Sequence, residues 1–465
     1  MLCVGMHFRA ALRHEKSMTH KQADRLSSRG DAERRDLAFP RRAWERGCGG
    51  AWARGGTLIA VVALVTPSAF LRAENWDRFR GPNGAGQSDA DGIPTEWSAD
   101  NILWKRPLPG IGHSSPVIWG DRLFILSGDV ATGEQIVSAV HALSGAPLWE
   151  ERFSGSSYGM HTFNSYASST PALDADHVYV MWLADGRISV AALTHDGEEV
   201  WRRDVGPFGE KHGFGKSPVV VDDLVYVVTD SEADSAMVAL DRLSGDVRWR
   251  VPRPAGTTAF TTPCVLDPKV DRKLLITVST ASGLAAIDAE TGEVAWQGLA
   301  EAVPQRCVSS PVVANGLVFI SSGVGGNGKY FVAARPGDAE NGPSEVYRLQ
   351  QSVPNVPTPV VAGDLLILWH DRGVVSCLDV STGRPHWRER VGGDFHSSPV
   401  RIGDRIFCAS RGGEMVVLAA DRAFRLLARN SLGEPCHATP AVSHNRLFVR
   451  TETMLLCVGE PGANN

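Results

Sequence analysis

A proline that opens a repeating unit occurs eight times in this chain, and it constrains the fold more than any other feature. The proline is usually preceded by Ser or Thr, often followed by Val, and recurs every 40 to 55 residues. Short apolar runs follow each copy, separated by the Gly, Asp and Ser residues that tight turns require. Such a period, with about four short strands per unit, is typical of β-propeller blades. The eight copies are Pro116, Pro171, Pro218, Pro263, Pro311, Pro359, Pro399 and Pro440.

A glycine turn that precedes a tryptophan by four residues is the second repeated element. It occurs in five units, whereas the fifth unit carries Tyr347 after a longer loop and the seventh has no Trp. We interpret the tryptophans as structural anchors on outer strands that pack against a neighbouring blade, because a large ring with one polar atom suits such a contact. The predicted anchors are Trp104, Trp149, Trp201, Trp249, Trp296 and Trp387.

The last unit supplies the argument for a closed ring. After Pro440 the chain has three strand-like runs and then ends, whereas an unpaired run surrounds Trp104 before the first unit. Pairing that run with the last unit removes an open sheet edge. The predicted fold is therefore all-β, an eight-bladed β-propeller of four-stranded blades over residues 101–460. Residues 74–100 form a lead-in segment and residues 461–465 a tail.

The first 73 residues predict a basic N-terminal extension followed by an export signal. An Arg-rich stretch precedes the apolar run LIAVVALVTPSAF, and small residues follow near Ala73, as export signals require. The run is shorter than the roughly 20 residues of a membrane-spanning helix. We expect export to the periplasm or cell envelope, with membrane contact only through an uncleaved signal. The remaining chain has a net charge of −12, which argues against a nucleic-acid partner.

The pattern Asp379-Val380-Ser381-Thr382-Gly383 followed by Trp387 recurs in several units. It resembles the repeat of PQQ-like (pyrroloquinoline-quinone-type) β-propellers, and the stretches WDRFRGPNGAG and FNSYASSTPALDADHVYV are similar to secreted bacterial members. The resemblance covers about residues 75 to 459 and implies two branches. One contains quinoprotein dehydrogenases, which bind PQQ and calcium and oxidise alcohols or sugars. The other is non-enzymatic and is exemplified by BamB, a lipoprotein of outer-membrane β-barrel assembly.

Our leading functional expectation is a non-catalytic binding or scaffold module of the cell envelope, without a cofactor, whose partner is an envelope protein or a small polar ligand. Alcohol-oxidising quinoproteins typically have an adjacent cysteine pair, and this chain has none. Soluble sugar-oxidising quinoproteins lack that pair too, so the alternative stays open. That alternative is an enzyme, a PQQ-dependent oxidoreductase of alcohols or sugars with calcium. The lipobox of the BamB lipoprotein is also missing from the sequence.

Residues just before the repeated prolines should surround the central channel on one face of the propeller. Three histidines share the position three residues before the proline, in units that are neighbours in a closed ring: His113, His396 and His437. Converging imidazoles can bind a metal or an anion, or each can instead bond a loop carbonyl. The complete set of expected ligand-binding residues at the channel mouth is His113, Lys216, Arg306, His370, Asp394, His396, Arg411 and His437.

Overall fold

A computed structural model of the protein describes residues 75–462, apart from positions 210, 233, 255, 268–271, 326 and 339. It confirms the eight-bladed β-propeller, because the strands form eight separate sheets of four antiparallel strands, one of which gains a fifth strand. Three short 3-10 helices interrupt the strands, at Pro82–Gly84, Ala99–Asn101 and Ala300–Ala302. None of the helices in this described part of the chain could cross a bilayer. The predicted export signal in residues 1–73 lies outside the described residues.

The strands of each blade follow one another in chain order, and the first strands of neighbouring blades contact each other around the central axis. Blade 1 contains Val117–Trp119, Arg122–Gly128, Gln135–His141 and Pro147–Phe153. Blade 2 contains Ala172–Leu173, His177–Ala184, Arg187–Thr194 and Glu199–Pro207. Blade 3 contains Val219–Val221, Leu224–Val228, Ala236–Asp241 and Val247–Pro252. Blade 4 contains Cys264–Val265, Leu274–Ser279, Gly283–Asp288 and Val294–Gly298.

The second half of the ring repeats this arrangement. Blade 5 contains Val312–Ala314, Leu317–Gly323, Gly328–Arg335 and Ser344–Leu349. Blade 6 contains Val360–Ala362, Leu365–Trp369, Val374–Asp379 and Pro385–Arg390. Blade 7 contains Val400–Ile402, Arg405–Ala409, Glu414–Ala419 and Leu426–Ser431. Blade 8 contains Ala441–Ser443, Arg446–Arg450, Met454–Val458 and, as its fourth strand, Ile102–Pro107, which pairs antiparallel to Met454–Val458.

The position of a strand within its blade explains its sequence. Second and third strands lie between two neighbouring blades and are buried on both faces, so that Leu123, Phe124, Ile125 and Leu126 are each at most 1% exposed. Fourth strands have one face toward solvent, and Pro147–Phe153 alternates accordingly between exposed and less exposed positions. Continuous apolar runs and alternating runs are the patterns that these two environments produce.

Each tryptophan of a fourth strand docks onto the following blade. The Nε1 of Trp201 donates a hydrogen bond to the carbonyl of Arg242 at 3.0 Å, in the turn between the third and fourth strands of blade 3. Gly245 of that turn covers the ring, and a Cβ added there would lie 2.5 Å from a ring carbon. Equivalent bonds to the next blade are made by Trp104, Trp149, Trp249 and Trp387.

Trp296 differs from the other anchors because the Asp-x-x-Thr-Gly turn is missing from blade 5. The longer loop between Arg335 and Ser344 replaces that turn. The ring of Trp296 is 5% exposed, but within the described residues its Nε1 has no hydrogen-bond partner. In the same position of blade 5, Tyr347 donates its hydroxyl to the carbonyl of Val380 at 3.0 Å.

The lead-in segment bonds to Arg405 and Asn430 of blade 7 through its residues 93–97, whereas its residues 76–88 form a hairpin inside the channel. It begins with Trp76, paired with Ile118 of blade 1, and ends with Gln87–Ser88, which is parallel to the first strand of blade 7. Arg80 at its tip is fully buried. Its guanidinium donates to the carbonyls of Thr358, Pro359 and Pro399, at the beginnings of blades 6 and 7, over 2.7 to 3.1 Å. The hairpin therefore fills the channel from one face up to the level of Arg80.

Candidate functional site

The residues that precede the repeated prolines form a ring of hydroxyl groups around the axis. In seven places a backbone N–H of this ring donates to the hydroxyl of the next blade at 3.0 or 3.1 Å. The ring also continues between the last and the first blade, where the backbone N–H of Thr439 in blade 8 donates to the hydroxyl of Ser115 in blade 1. This explains the repeated Ser/Thr-Pro pairs as structural. The ring consists of Ser115, Thr170, Ser217, Thr262, Ser310, Thr358, Ser398 and Thr439.

A cavity of about 1020 Å³ opens above this ring, and all eight hydroxyl residues line it. Its walls are the connections between consecutive blades and the loops between second and third strands. Phe79, next to Arg80 at the tip of the lead-in hairpin, also lines the cavity. Because the hairpin fills the channel below, the cavity is a blind pocket.

Blades 1, 7 and 8 bring the three predicted histidines together at one wall. The Nδ1 atoms of His396 and His437 are 3.1 Å apart. The ring of His113 stacks on that of His437, with centroids separated by 4.2 Å and planes inclined by 12°. The alignment on the repeated proline therefore placed these side chains correctly as neighbours.

All three imidazoles are neutral at physiological pH. Burial is the largest cause: it lowers the pKa of His396 to about 3 and that of His437 to about 4, and nearby positive charge on Arg411 adds to the effect. The pKa of His113 falls well below its usual value of 6.5, again through burial first, and Arg450 contributes. Desolvation disfavours the charged form of an imidazole, which explains the direction.

The longest connection between blades, residues 154–171, reaches across the cavity mouth. Its Phe163 belongs to the link between blades 1 and 2, yet it contacts two residues of blade 7. The guanidinium carbon of Arg411 lies 3.8 Å from the Phe163 ring centroid, and His396 packs against the ring edge at 5.4 Å. Asn164 fastens the connection by donating to the carbonyl of His212 at 2.7 Å. Phe163 is 44% exposed and therefore remains accessible to a ligand.

Positive side chains reach the cavity from four directions, whereas the chain after residue 73 is acidic overall. The cations are Lys211, Arg306, Arg372 and Arg411. The acidic side chains are Glu232, Asp371 and Asp394.

Two of these carboxylates are already engaged. Asp371 accepts backbone N–H bonds from Asn355 and Val356 at 2.7 and 3.1 Å, and burial raises its pKa to about 6. Asp394 lies 3.9 Å from Arg411.

Six of the eight predicted ligand-binding residues line the cavity: His113, Arg306, Asp394, His396, Arg411 and His437. The other two do not. Lys216 is 1% exposed, donates to the carbonyl of Ala259 and lies between two phenylalanine rings. The ring of His370 is bound locally, with Nε2 3.2 Å from Asn327 Oδ1 and Nδ1 accepting from the Arg372 N–H at 3.0 Å.

Sequence reasoning missed the aromatic lining residues Phe79, Phe163 and Phe260. The only available signal was the length of the connection that carries Phe163. Phe79 belongs to a segment whose course through the channel depends on distant contacts. Phe260 lies near two cations, at 5.6 Å from both Lys216 and Arg306, a pairing that no local pattern reveals.

The three histidines do not offer a group of three nearby ligand atoms. Within the described residues, such a group is formed by Asp174, Asp176 and His177, whose ligand atoms lie within 4.8 Å of one another. These residues follow the first strand of blade 2, on the face opposite the cavity. Arg242 already balances them, with its Nη1 3.2 Å from Asp174 and 3.0 Å from Asp176.

A quinoprotein would also require a calcium ion in the cavity. Calcium takes six to eight oxygen ligands, but the cavity carboxylates in the described region form no common group. The six cysteines described there are buried and unpaired, and none of them lines the cavity. The cations could hold the carboxylates of a quinone.

The chain matches the family model described as outer membrane protein assembly factor BamB, over residues 133–389, 349–426 and 372–458. The chain belongs to this BamB family. No curated protein matches the sequence of this BamB-family propeller.

Solved structures show the same fold. BamB from Moraxella catarrhalis is 16% identical, with a TM-score of 0.54, and the match covers 77% of this chain and 98% of that one. Quinohemoprotein alcohol dehydrogenase from Comamonas testosteroni is 12% identical, with a TM-score of 0.62 over 84% and 81% of the two chains. The computationally designed Ika8 protein is 12% identical, with a TM-score of 0.55 over 76% and 98%. At these identities the likeness concerns the fold and does not choose between binding and catalysis.

Proposed function

We propose that this BamB-family propeller is a non-catalytic binding module of the cell envelope, and that the blind cavity is its site for a small polar anion. The observation that carries the proposal is the concentration of Lys211, Arg306, Arg372 and Arg411 around one cavity of an otherwise acidic chain. A concave site with a few convergent polar groups and aromatic walls is the usual form of a small-molecule site.

The geometry of Arg411 supports this proposal. Its guanidinium is stacked on Phe163, which fixes the plane of the fork. Within the described residues its buried Nε has no hydrogen-bond partner. A guanidinium held in this way can bind a carboxylate or phosphate through parallel hydrogen bonds. The ring of hydroxyls below offers further donors at the cavity base.

Calorimetric titration with citrate and with inorganic phosphate tests the proposal. The double variant R306A/R411A should lose at least about tenfold in affinity, because each hydrogen bond to a charged group contributes about 1.5 to 3 kcal/mol. R152A serves as the matched control, since Arg152 is an exposed arginine of blade 1 that is paired with Glu134. Unchanged affinity in the double variant, or equal loss in the control, would contradict this assignment.

The alternative, a PQQ-dependent oxidoreductase, is supported by the same cations, which suit the carboxylates of PQQ. It predicts turnover: the protein, incubated with PQQ and calcium, should oxidise alcohols or sugars with a dye acceptor. Dye reduction that depends on both PQQ and calcium would replace the binding module with this enzyme. Binding of PQQ without turnover would instead agree with the non-catalytic proposal.

The envelope location rests on the family, since BamB is described as an outer membrane protein assembly factor, and on the sequence of residues 1–73. Fractionation of cells that express the full chain tests it. Recovery in the cytoplasmic fraction alone would contradict this part of the proposal. A protein partner in the envelope would appear as a crosslinked species in the same fractions.

A further inference from the structure

Two imidazole nitrogens face each other in the cavity wall at the spacing of ligands on one ion. The Nδ1 atoms of His396 and His437 are 3.1 Å apart. Zinc–imidazole bonds measure about 2.0 to 2.1 Å, so two nitrogens on one ion lie about 2.9 Å apart at a right angle and about 3.3 Å apart at the tetrahedral angle. The observed separation falls between these limits.

We propose that the Nδ1 atoms of His396 and His437 bind a divalent transition-metal ion of the zinc or copper class, with its remaining positions open to the cavity. Imidazole is a ligand suited to these ions, and an open position is typical of sites that also bind water or a substrate. The proposal goes beyond anion binding and does not depend on it.

The surroundings hold both rings in place before any ion binds. His113 stacks on His437, and Phe163 packs edge-on against His396. His113 does not complete a three-nitrogen group with the pair. We therefore assign it the part of a positioning residue that sets the orientation of His437.

Two features oppose metal binding and make the proposal testable. A hydrogen bond from one Nδ1–H to the other Nδ1 would produce the same separation without an ion. The guanidinium of Arg411 stacks on Phe163, whose ring packs against His396, and this nearby positive charge must repel a dication. Removing the charge of Arg411 should therefore raise the affinity for a metal ion. If His396 and His437 only share a proton, the same change should leave the metal affinity unaltered.

The experiment measures Zn²⁺ binding to the full-length chain by calorimetry and elemental analysis. His7, His14 and His20 of the N-terminal segment contribute the same background in every variant. The wild type should retain one more Zn²⁺ per chain than H396Q/H437Q. Each single variant should lose more than the about 10- to 100-fold that is typical of changes to outer-shell partners. H386A, which removes an exposed histidine from the fourth strand of blade 6, away from the cavity lining, is the matched control and should stay within about twofold of wild type.

R411A should bind Zn²⁺ several-fold more tightly than wild type. Its circular dichroism spectrum must match that of the wild type, because an unfolded chain would expose the buried cysteines, which bind zinc themselves. H113A should weaken Zn²⁺ binding less than H396Q or H437Q does. Cu²⁺ added at an equimolar amount should show nitrogen coupling in its electron paramagnetic resonance spectrum, and H396Q/H437Q should lose this coupling. Equal zinc content in the wild type and the double variant would overturn the proposal. So would the lack of any gain in R411A, or a loss in H386A as large as in H396Q.

Discussion

The Gly turn that precedes each Trp by four residues packs against the Trp of the preceding blade, as Gly245 does against Trp201. This contact gives a test of why the turn contains glycine. Gly245 has a φ of +70°, and a Cβ added there would lie 2.5 Å from the ring of Trp201. Its replacement by Ala in G245A therefore creates two separate problems. One is a left-handed backbone conformation for a residue with a side chain, and the other is a collision with a buried ring of the preceding blade.

The two contributions can be separated, because the chain contains a glycine that shares only the first. Gly403 has a φ of +58°, and nothing lies within 4 Å of the added Cβ. G403A should cost only the left-handed strain of about 1 to 2 kcal/mol. G245A adds the overpacking cost of about 1 to 3 kcal/mol, so we expect about 2 to 5 kcal/mol in total.

Urea unfolding followed by circular dichroism measures both costs, provided that the slope with denaturant is the same in all variants. The W201A background completes a double-mutant cycle. There the ring is absent, and G245A should cost only as much as G403A does in the wild type. Equal costs of G245A and G403A in the wild type, or an unchanged cost of G245A without the ring, would refute the docking argument.

Two further predictions concern buried charged groups. Burial raises the pKa of Asp371 from 3.8 to about 6. Between about pH 4 and pH 6 the folded state therefore keeps a proton on Asp371 that the unfolded state has lost. The free energy of unfolding should fall by about 3 kcal/mol as the pH rises through this range. D371N should lack this fall in urea titrations at pH 4 to 7, and a slope equal to that of the wild type would contradict it. R80K keeps the charge but has three donors, so at least two of the five hydrogen bonds that Arg80 now makes to backbone carbonyls are lost. It should lower stability by about 3 to 6 kcal/mol and speed amide exchange at the lead-in hairpin, whereas unchanged exchange would exclude a plugging role.

The repeat could be predicted from sequence because its punctuation acts locally. The carboxylate of Asp379 accepts N–H bonds from Ser381 and Thr382, two and three residues later, and Gly383 then takes a positive φ. Interactions of this range depend on neighbouring residues alone, so the residue pattern reveals them. The histidine wall was predictable for a related reason, since a closed ring makes equivalent positions in consecutive units neighbours in space.

The lead-in hairpin and the cavity lining could not be predicted in the same way. Arg80 bonds to carbonyls 278 to 319 residues away, and Phe163 meets Arg411 across the channel mouth. Whether a side chain before a repeated proline enters the cavity depends on the direction of its Cα–Cβ bond and on what it meets. Lys216 shows this, because its ammonium group lies between the rings of Phe208 and Phe260 and donates to the carbonyl of Ala259, which keeps it out of the cavity.

Two buried cations near the cavity, Arg80 and Arg450, connect the proposed anion site and the neutral histidines. Arg80 donates to backbone carbonyls, and Arg450 to the Leu126 carbonyl and the Ser127 hydroxyl. Within the described residues neither forms an ion pair, and burial lowers the pKa of each guanidinium to about 9. Carbonyl dipoles do not cancel these two charges, so both guanidinium groups add positive potential near the cavity. This potential favours an anion in the cavity, and the charges of Arg411 and Arg450 help to keep His113 unprotonated.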